Sequence, residues 1–330
     1  MRVWDLSSRG KTHQLGHTAG ADSHSSVVKE IRVSPDARKA LSCAYDDSLR
    51  VWDLTTGKCD LKLGGEGTHK GQVFDCAWFP DNARVLSCGG DGSLKVWDTS
   101  NGDLLSTMKG HDKGVRGCWL FDNGAKALSC SIDETLKVWD VASGKETMTL
   151  KGHTGLIDRC STFERDGKTH GMSASWDKTL RVWDLSDGSE VSVLRDDNKV
   201  RGFGVYDDGT RAVSTGSGLG LSIWNMDDLS KPFLITRLAT GHTATVWGLE
   251  MLLDRDHCRC VTFSSDGTLR AWNLREEREE VAGRRAFHPG PVSTLTHAVR
   301  RYVWSMRKPL IDCSVLVHAD VRSCDPSPSG

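Results

Sequence analysis

Short runs of β-branched and aromatic residues alternate along most of this chain with clusters rich in glycine, proline and aspartate. In residues 73–97 the runs VFDCAWF, RVLSC and SLKVW are separated by the clusters PDNA and GGDG. Runs of this length between turn-forming residues are typical of β-strands. A fourth run follows at 102–109, before the pattern starts again. The pattern therefore predicts an all-β chain built from units of four short strands.

The end of each unit is marked by a recurring tryptophan. The sequence LRVWD occurs at 49–53 and 180–184 and LKVWD at 94–98 and 136–140, with the weaker LSIWN at 221–225 and LRAWN at 269–273. The repeat tryptophans are Trp4, Trp52, Trp97, Trp139, Trp183, Trp224 and Trp272. They follow one another at intervals of 41–48 residues, a period that suits one four-stranded unit.

Three other residue types stand at constant offsets within the units. A hydroxyl side chain lies ten residues before the tryptophan and an Asp six residues before it, while a His lies four residues before the first apolar residue of the unit. These landmarks resemble those of the WD-repeat (WD40-type) family, in which a repeat begins near Gly-His and ends at Trp-Asp. The resemblance covers nearly the whole chain.

The resemblance implies an all-β, seven-bladed WD-repeat β-propeller with four-stranded antiparallel blades around a central channel. The last blade would be degenerate and closed by the N- and C-terminal segments. One propeller domain is expected at 1–322, with repeat ends near the seven tryptophans and a degenerate end at His318, and a frayed tail at 323–330. A complete chain and a fragment of a longer protein are both compatible with this organisation.

The resemblance also implies a hydrogen-bonded tetrad inside each blade. A linked network is physically sensible, since a buried indole N–H needs an acceptor. The expected tetrads are His24, Ser42, Asp46 and Trp52; His69, Ser87, Asp91 and Trp97; His111, Ser129, Asp133 and Trp139; His153, Ser173, Asp177 and Trp183; and His242, Thr262, Asp266 and Trp272.

The unit that ends at Trp224 departs from this pattern. Residues 194–197 read LRDD where Gly-His is expected, and Gly218 replaces the tetrad Asp. This blade should be the least rigid. An alternative interpretation is that its loops serve a partner, since segments of low local stability are often functional.

The seventh blade is expected where the chain ends meet. A strand can start after His288, and residues 315–318 parallel 94–97 with His318 in the place of the tryptophan. Either residues 2–6 or residues 315–318 would supply the third strand of this blade, and in the second case residues 11–15 would add the outer strand. Both arrangements pair an edge strand that would otherwise stay open.

Composition and charge exclude several classes of protein. The 43 basic and 44 acidic residues give a net charge of −1, so no nucleic-acid partner is expected. The sequence contains neither a long apolar run nor a secretory leader, which predicts no membrane insertion and a cytoplasmic location, with the nucleus as the alternative. Eleven cysteines in such a chain favour reduced thiols over disulfides.

Motifs for catalysis are weak. The recurring histidines are interpreted as structural, because six copies of one active site are implausible. The GKT sequences at 10–12 and 167–169 lack the first glycine of a phosphate-binding loop, and HCRC at 257–260 lacks a second ligand pair at zinc spacing. The sequence therefore predicts no enzyme, catalytic residue, cofactor, metal ligand or small-molecule substrate.

In similar propellers, partners commonly dock on the face that carries the outer-to-inner loops and the turns between second and third strands. Two positions per unit carry over to this face: the residue after the first buried aliphatic residue, and the residue before the tetrad Asp. The resulting set mixes aromatic and charged groups, which are types that dominate interface hot spots. The set is Lys29, Tyr45, Phe74, Arg116, Asp158, Trp176, Arg201 and Trp247.

The sequence thus predicts a non-catalytic scaffold that docks protein or peptide partners on this face. Lys29, Arg116 and Arg201 would favour acidic or phosphorylated segments. The alternative is that these side chains are solvated or pair internally, for example Arg116 with Asp158. A second class of function is a sensor or substrate-receptor propeller of a larger signalling ATPase or ubiquitin ligase assembly; WNLR at 272–275 approaches the Trp-Asp-x-Arg element of ligase-adaptor propellers.

Overall fold

The computed structural model describes residues 2–5, 12–14, 23–64, 69–253, 258–274 and 315–318. These residues form strands and one 3₁₀ turn, Asp122–Gly124. In chain order the strands are β1 Arg2–Asp5, β2 Thr12–Gln14, β3 Val28–Val33, β4 Lys39–Ala44, β5 Leu49–Asp53, β6 Cys59–Leu63, β7 Val73–Trp78, β8 Arg84–Gly89, β9 Ser93–Asp98, β10 Leu104–Lys109, β11 Val115–Phe121, β12 Lys126–Ser131, β13 Thr135–Asp140, β14 Lys145–Lys151, β15 Ile157–Arg165, β16 Lys168–Ser175, β17 Thr179–Asp184, β18 Glu190–Arg195, β19 Val200–Tyr206, β20 Arg211–Gly216, β21 Gly220–Asn225, β22 Phe233–Ala239, β23 Val246–Leu253, β24 Cys258–Ser264, β25 Leu269–Asn273 and β26 Val315–His318.

Six antiparallel sheets follow one another along the chain as the blades of a β-propeller. Blades one to five are β3–β6, β7–β10, β11–β14, β15–β18 and β19–β22, and blade six has three described strands, β23–β25. Tight turns join neighbouring strands. In the turn between β7 and β8, Asn82 adopts a φ of 59° and the Asp81 carboxylate accepts the Ala83 amide N–H at 2.9 Å. Asn and Asp suit such turns because they tolerate left-handed backbone and bond to nearby amides.

The prediction of seven blades is wrong, because the described residues form six blades. The two sequence segments that each resembled the third strand of a last blade pair with one another: β1 lies between β2 and β26, with Trp4 opposite Leu316. These segments therefore count once, as members of a three-stranded terminal sheet. The expected start of the seventh blade at His288 and the tail at 323–330 lie outside the described residues.

The hydrophobic core is divided among the interfaces between neighbouring blades. Each repeat tryptophan from blade two onward packs against the preceding blade; Trp139, for example, lies in one cluster with Phe79 and Met108 of blade two. Trp97, Trp183, Trp224 and Trp272 belong to the equivalent clusters of the other interfaces. Burial of about 200 Å² per indole, at about 25 cal/mol per Å², makes each a main source of blade-to-blade stability.

Small cysteines fill gaps in the same interfaces. Nine cysteines fall within the described residues, all as free thiols, and eight are buried. Burial raises the pKa of the Cys76 and Cys88 thiols well above the usual range, so both groups are protonated at neutral pH. They act as small apolar side chains in the core.

Five blades contain the same chain of side-chain hydrogen bonds. The indole N–H donates to the Ser or Thr hydroxyl at 2.8–3.0 Å. The His Nε2 lies 2.7–2.9 Å from that hydroxyl, and its Nδ1 lies 2.7–3.0 Å from the Asp carboxylate. A carboxylate only accepts, so Nδ1–H donates to it and the hydroxyl donates to Nε2. The five sets are those centred on His24, His69, His111, His153 and His242.

Each tetrad also holds two further donors that the sequence reasoning missed. A hydroxyl two residues after the Asp donates to it at 2.6–2.7 Å, from Ser48, Ser93, Thr135, Thr179 and Thr268. The backbone N–H of the residue after the His donates to the same carboxylate at 2.8–3.1 Å. The constant Ser/Thr two residues after each Asp was the available signal.

These donors set the ionisation of the tetrad carboxylates. Burial raises the pKa of Asp91, but the hydrogen bonds from His69 and Ser93 outweigh it and hold the pKa well below the usual range. The charged form is therefore favoured in the folded state.

Replacing Asp91 with Asn should lower the free energy of unfolding at pH 7 by about 1–3 kcal/mol, since charge-assisted hydrogen bonds are lost. The pKa of Asp91 is lower in the folded state than the unfolded value of about 3.9, so its contribution is complete above that value and is lost as the pH falls toward the folded pKa. Urea unfolding should show a constant gap between the wild type and Asp91→Asn from pH 7 to 5, and a narrower gap at pH 3.5. The exposed Asp112→Asn variant is the control, and an unchanged gap at pH 3.5 would contradict the assignment.

Candidate protein-binding face

A β-bulge occurs at the same point of the inner strand in all six blades. In β7, Val73 pairs with Gly89 and Asp75 with Cys88, which leaves Phe74 outside the ladder. A bulge redirects the side chain of the extra residue. The bulged residues are Lys29, Phe74, Arg116, Asp158, Arg201 and Trp247, and all six belong to the face set expected from the sequence.

The bulged residues of blades two to four make continuous contacts. The rings of Tyr45 and Phe74 meet edge to face with centroids 5.8 Å apart. The Arg116 guanidinium lies over the Phe74 ring at 4.6 Å and donates to Asp158 Oδ1 through Nη2 at 2.6 Å. The internal pairing of Arg116 with Asp158, one of the two sequence alternatives, is therefore present.

The contacts continue into blades five and six. The Arg201 guanidinium lies between two indoles, 4.7 Å from the Trp176 ring and 4.5 Å from the Trp247 ring. Its Nη1 is 3.7 Å from Asp158 Oδ2, and the Trp176 indole N–H donates to the same oxygen at 3.3 Å. Lys199 places its Nζ 4.4 Å from the Trp176 ring centre. Cation–π contacts of this kind contribute about 0.5–2 kcal/mol each.

We call these side chains the cation–aromatic strip; its members are Tyr45, Phe74, Arg116, Asp158, Trp176, Lys199, Arg201 and Trp247. Trp247 is 41% exposed, whereas Phe74 is buried and Arg116, Asp158, Trp176 and Arg201 are half-buried. Trp247 also donates its indole N–H to Ser265 at 2.5 Å. The strip thus presents one exposed indole whose orientation is held by neighbours.

Asp158 is the charge centre of the strip. Burial raises its pKa, but the nearby charges of Arg116 and Lys29 outweigh this and lower the pKa overall. The pKa of Arg116 is raised because Asp158 outweighs burial, whereas burial dominates at Arg201 and lowers its pKa. Arg201 Nε is buried without a hydrogen-bond partner. Arg116 is thus well paired, and Arg201 is incompletely paired.

A second charged cluster lines the channel and was missed from the sequence. Arg32 of blade one lies 3.5 Å from Glu250 of blade six, and Arg159 of blade four lies 3.1 Å from the same carboxylate. Arg32 is also 3.7 Å from Glu30 and 3.8 Å from Asp75. Glu30, Asp75 and Arg159 directly follow the bulged residues, but glycine occupies this position in the other three blades, so no repeat pattern revealed the cluster.

The channel cluster pairs its charges internally and joins blades one, four and six. Asp75 accepts the backbone N–H of Cys118 at 3.1 Å, which links blade two to blade three.

Across the described residues, no group of three or more His, Cys, Asp or Glu side chains is arranged to hold a metal ion. No helix in the same part of the chain has the length and apolar character needed to span a bilayer.

Comparisons with known proteins agree with the geometry. The family model for the WD domain, G-beta repeat, matches residues 14–53, 58–98, 102–140, 144–184 and 234–273, more than half of the chain. The chain therefore belongs to the WD40-repeat family, whose propellers are generally protein-interaction scaffolds and typically non-catalytic. The unmatched residues 185–233 contain most of blade five, which lacks a complete tetrad.

One solved structure similar to this chain is the crystal structure of RRP9 WD40 repeats. It is 22% identical, covers 77% of this chain and 78% of its own, and superposes with a TM-score of 0.68. At this identity the similarity concerns the fold alone. A comparison with curated proteins found no match.

The channel cluster gives a pH-dependent prediction. Burial is the main reason that the pKa of Asp75 is raised, to about 6, above the unfolded value of about 3.9. The folded state then binds more protons than the unfolded state between these values, so the contribution of Asp75 to the free energy of unfolding falls as the pH rises from 4 to 6. The free energy of unfolding of Asp75→Asn, measured with urea relative to that of the wild type, should therefore rise by on the order of 2 kcal/mol from pH 4 to pH 6.

The control for Asp75 is Asp60→Asn, which removes a surface pair with Lys39 at 3.4 Å and should change stability little at any pH. A relative stability of Asp75→Asn that declines from pH 4 to 6 would be inconsistent with a raised pKa.

Proposed function

We propose that this propeller is a non-catalytic scaffold that docks a protein or peptide partner on the face formed by the cation–aromatic strip. The observation that carries the proposal is the bulge in every inner strand, which takes six side chains of mixed type out of the ladder at the same position of each blade. Repetition explains the blades, but it does not explain this mixed set. Aromatic and Arg side chains on a rigid support are suited to act as interface anchors.

The exposed Trp247 is the proposed anchor. Large exposed apolar side chains on the described blades are few, and Trp247 is the one within the strip. Its indole already bonds to Ser265 and stacks on Arg201, so little side-chain freedom remains to be lost when a partner binds.

Charge defines the proposed class of partner segment. The strip contains the cations Arg116, Lys199 and Arg201 and one carboxylate, Asp158, which is also influenced by the charge of Lys29. Arg201 has a buried donor without a partner. An acidic or phosphorylated segment would supply acceptors for these cations through charge-assisted hydrogen bonds.

Trp247→Ala should reduce capture of proteins from native lysate at least tenfold, because a hot-spot aromatic contributes about 2 kcal/mol or more. Immobilised wild type and variant are compared by quantitative mass spectrometry. Phe233→Ala is a matched control, since Phe233 is 56% exposed but lies on the outer strand β22. If the two variants retain the same proteins as the wild type, the strip is not the docking face.

The preference for acidic segments is tested separately on those proteins whose capture depends on Trp247. Arg201→Gln should weaken their capture several-fold, and raising the salt concentration from 0.1 to 0.5 M should do the same, because exposed charge interactions are screened. Arg84→Gln is the matched control: Arg84 also lies over an aromatic ring, Phe79, at 4.4 Å, but next to the turn at the other end of β7. Capture that depends on Trp247 but is insensitive to salt and to Arg201 would retain the docking face and reject the acidic preference.

A further inference from the structure

Blade five keeps only half of the tetrad that its neighbours contain. Trp224 donates its indole N–H to Ser214 at 2.9 Å, as in the other blades. The loop that would carry the His is one residue shorter than in blade four, with five residues between Leu194 and Val200 against six between Leu150 and Ile157. Gly218 stands in the place of the Asp. The imidazole and the carboxylate of the network are therefore both missing.

The missing groups leave a cavity in the blade. Its volume is about 80 Å³, and its lining includes Ser214, Thr215, Asp196, Asn198 and Gly218. Ser214 and Thr215 are at most 4% exposed, whereas Asn198 and Lys199 at the rim are exposed. The cavity thus combines a buried polar end with access from solvent. A cavity of this size holds water, and its volume is about half of the 150 Å³ that holds benzene, so a five-membered ring would have to fill it completely and reach its open rim.

The buried end of the cavity offers hydrogen bonds that the protein leaves unused. Ser214 accepts from Trp224, and within the described residues its own proton has no acceptor; in the other blades this proton goes to the His Nε2. The Thr215 hydroxyl is also buried without a partner, but it follows Ser214 in β20 and points to the opposite face of the sheet. Buried hydroxyls in this condition are costly, so an occupant that accepts from Ser214 would be stabilised.

The solvent side of the cavity offers acceptors for a donor on the same occupant. The Asp196 carboxylate accepts from Ser222 through Oδ2 at 2.7 Å. Its Oδ1 accepts the Asp197 and Asn198 backbone N–H groups and lies 3.7 Å from Arg237, so the remaining acceptor position is on Oδ2. A Cβ placed on Gly218 would lie 2.8 Å from Asn198 Nδ2, so the Asn198 amide occupies the space that an Asp side chain would enter. The Asp196 carboxylate thus lies in the loop that replaces the tetrad His, and the Asn198 amide fills part of the place of the tetrad Asp.

We propose that the cavity of blade five is a binding site for a neutral imidazole ring supplied from outside the blade. The ring accepts from the Ser214 hydroxyl through one nitrogen and donates N–H toward the Asp196 carboxylate through the other, which completes the network that the other five blades build internally. The ring comes either from a free imidazole compound or from a histidine side chain of a partner. Binding of the ring in this cavity is independent of whether the cation–aromatic strip binds a partner.

The experiment measures the thermal midpoint of the full chain at pH 8 with increasing imidazole. At 20 mM imidazole and a dissociation constant of about 1 mM, the midpoint should rise by about 3 °C. At pH 5.5 the ring is protonated at both nitrogens and cannot accept from Ser214, so the rise should disappear. Pyrrole has the same ring size and an N–H but no basic nitrogen, and it should give no rise at pH 8. These measurements use the wild type alone and remain informative if a variant fails to fold.

Two variants locate the effect. Ser214→Ala should abolish the response to imidazole. Ser173→Ala is the control, because it removes the equivalent hydroxyl from blade four, where His153 already occupies the site. This variant should have a lower thermal midpoint than the wild type but should keep the rise with imidazole. A response in wild type and Ser173→Ala but not in Ser214→Ala supports the site.

A second probe separates the two sources of the ring. N-acetylhistidine methylamide carries the imidazole on a peptide backbone. A rise with both probes supports a partner histidine as the occupant, and a rise with imidazole alone supports a free compound. The proposal is overturned if neither probe raises the midpoint, if pyrrole acts as well as imidazole, or if Ser214→Ala responds like the wild type; water is then the occupant of the cavity.

Discussion

The need of a buried indole N–H for an acceptor governs much of this propeller. Trp52, Trp97, Trp139, Trp183 and Trp224 are buried, so their N–H groups need acceptors within the protein. A Ser or Thr hydroxyl accepts this hydrogen bond and donates its own O–H to a His, and the His donates in turn to an Asp. Hydrophobic packing therefore comes with a polar chain that runs from the blade interface to the surface loops.

This chain also sets the position of the candidate face. The tetrad His lies in the loop that enters each inner strand, and the tetrad Asp lies in the turn between the second and third strands. Their hydrogen bond holds the loop against the turn, and the backbone N–H after the His bonds to the same carboxylate. The bulged residue follows the His by five positions, so a loop held in this way delivers it to a defined place. Tetrad and strip are thus successive parts of one segment.

Structural features that repeat along the chain could be predicted from the sequence, whereas features that occur once could not. Offsets from Trp97 or Trp139 were enough to locate the groups of each tetrad. One offset also selected Phe74 and Arg116, which lie at the bulges, although a bulge leaves no mark in the sequence of a single unit. The ion pair of Arg159 with Glu250 joins residues 91 positions apart and could not be read from any period. The blade count failed for a related reason: residues 2–6 and 315–318 were alternative candidates for the third strand of one seventh blade, and only pairing in three dimensions shows that β1 and β26 are neighbours.

Blade five connects the departures from the repeat with the candidate face. It lacks the His–Asp bond that holds the entering loop in the other five blades, yet it supplies Arg201 and Lys199 to the strip. These two cations are held instead by contacts to Trp176 of blade four and Trp247 of blade six. Stacking restrains a guanidinium less directionally than a carboxylate does, and Arg201 retains a buried donor without a partner, whereas Arg116 bonds closely to Asp158. The side chain most able to turn toward an incoming acceptor therefore belongs to the blade whose loop is held by the fewest tetrad bonds.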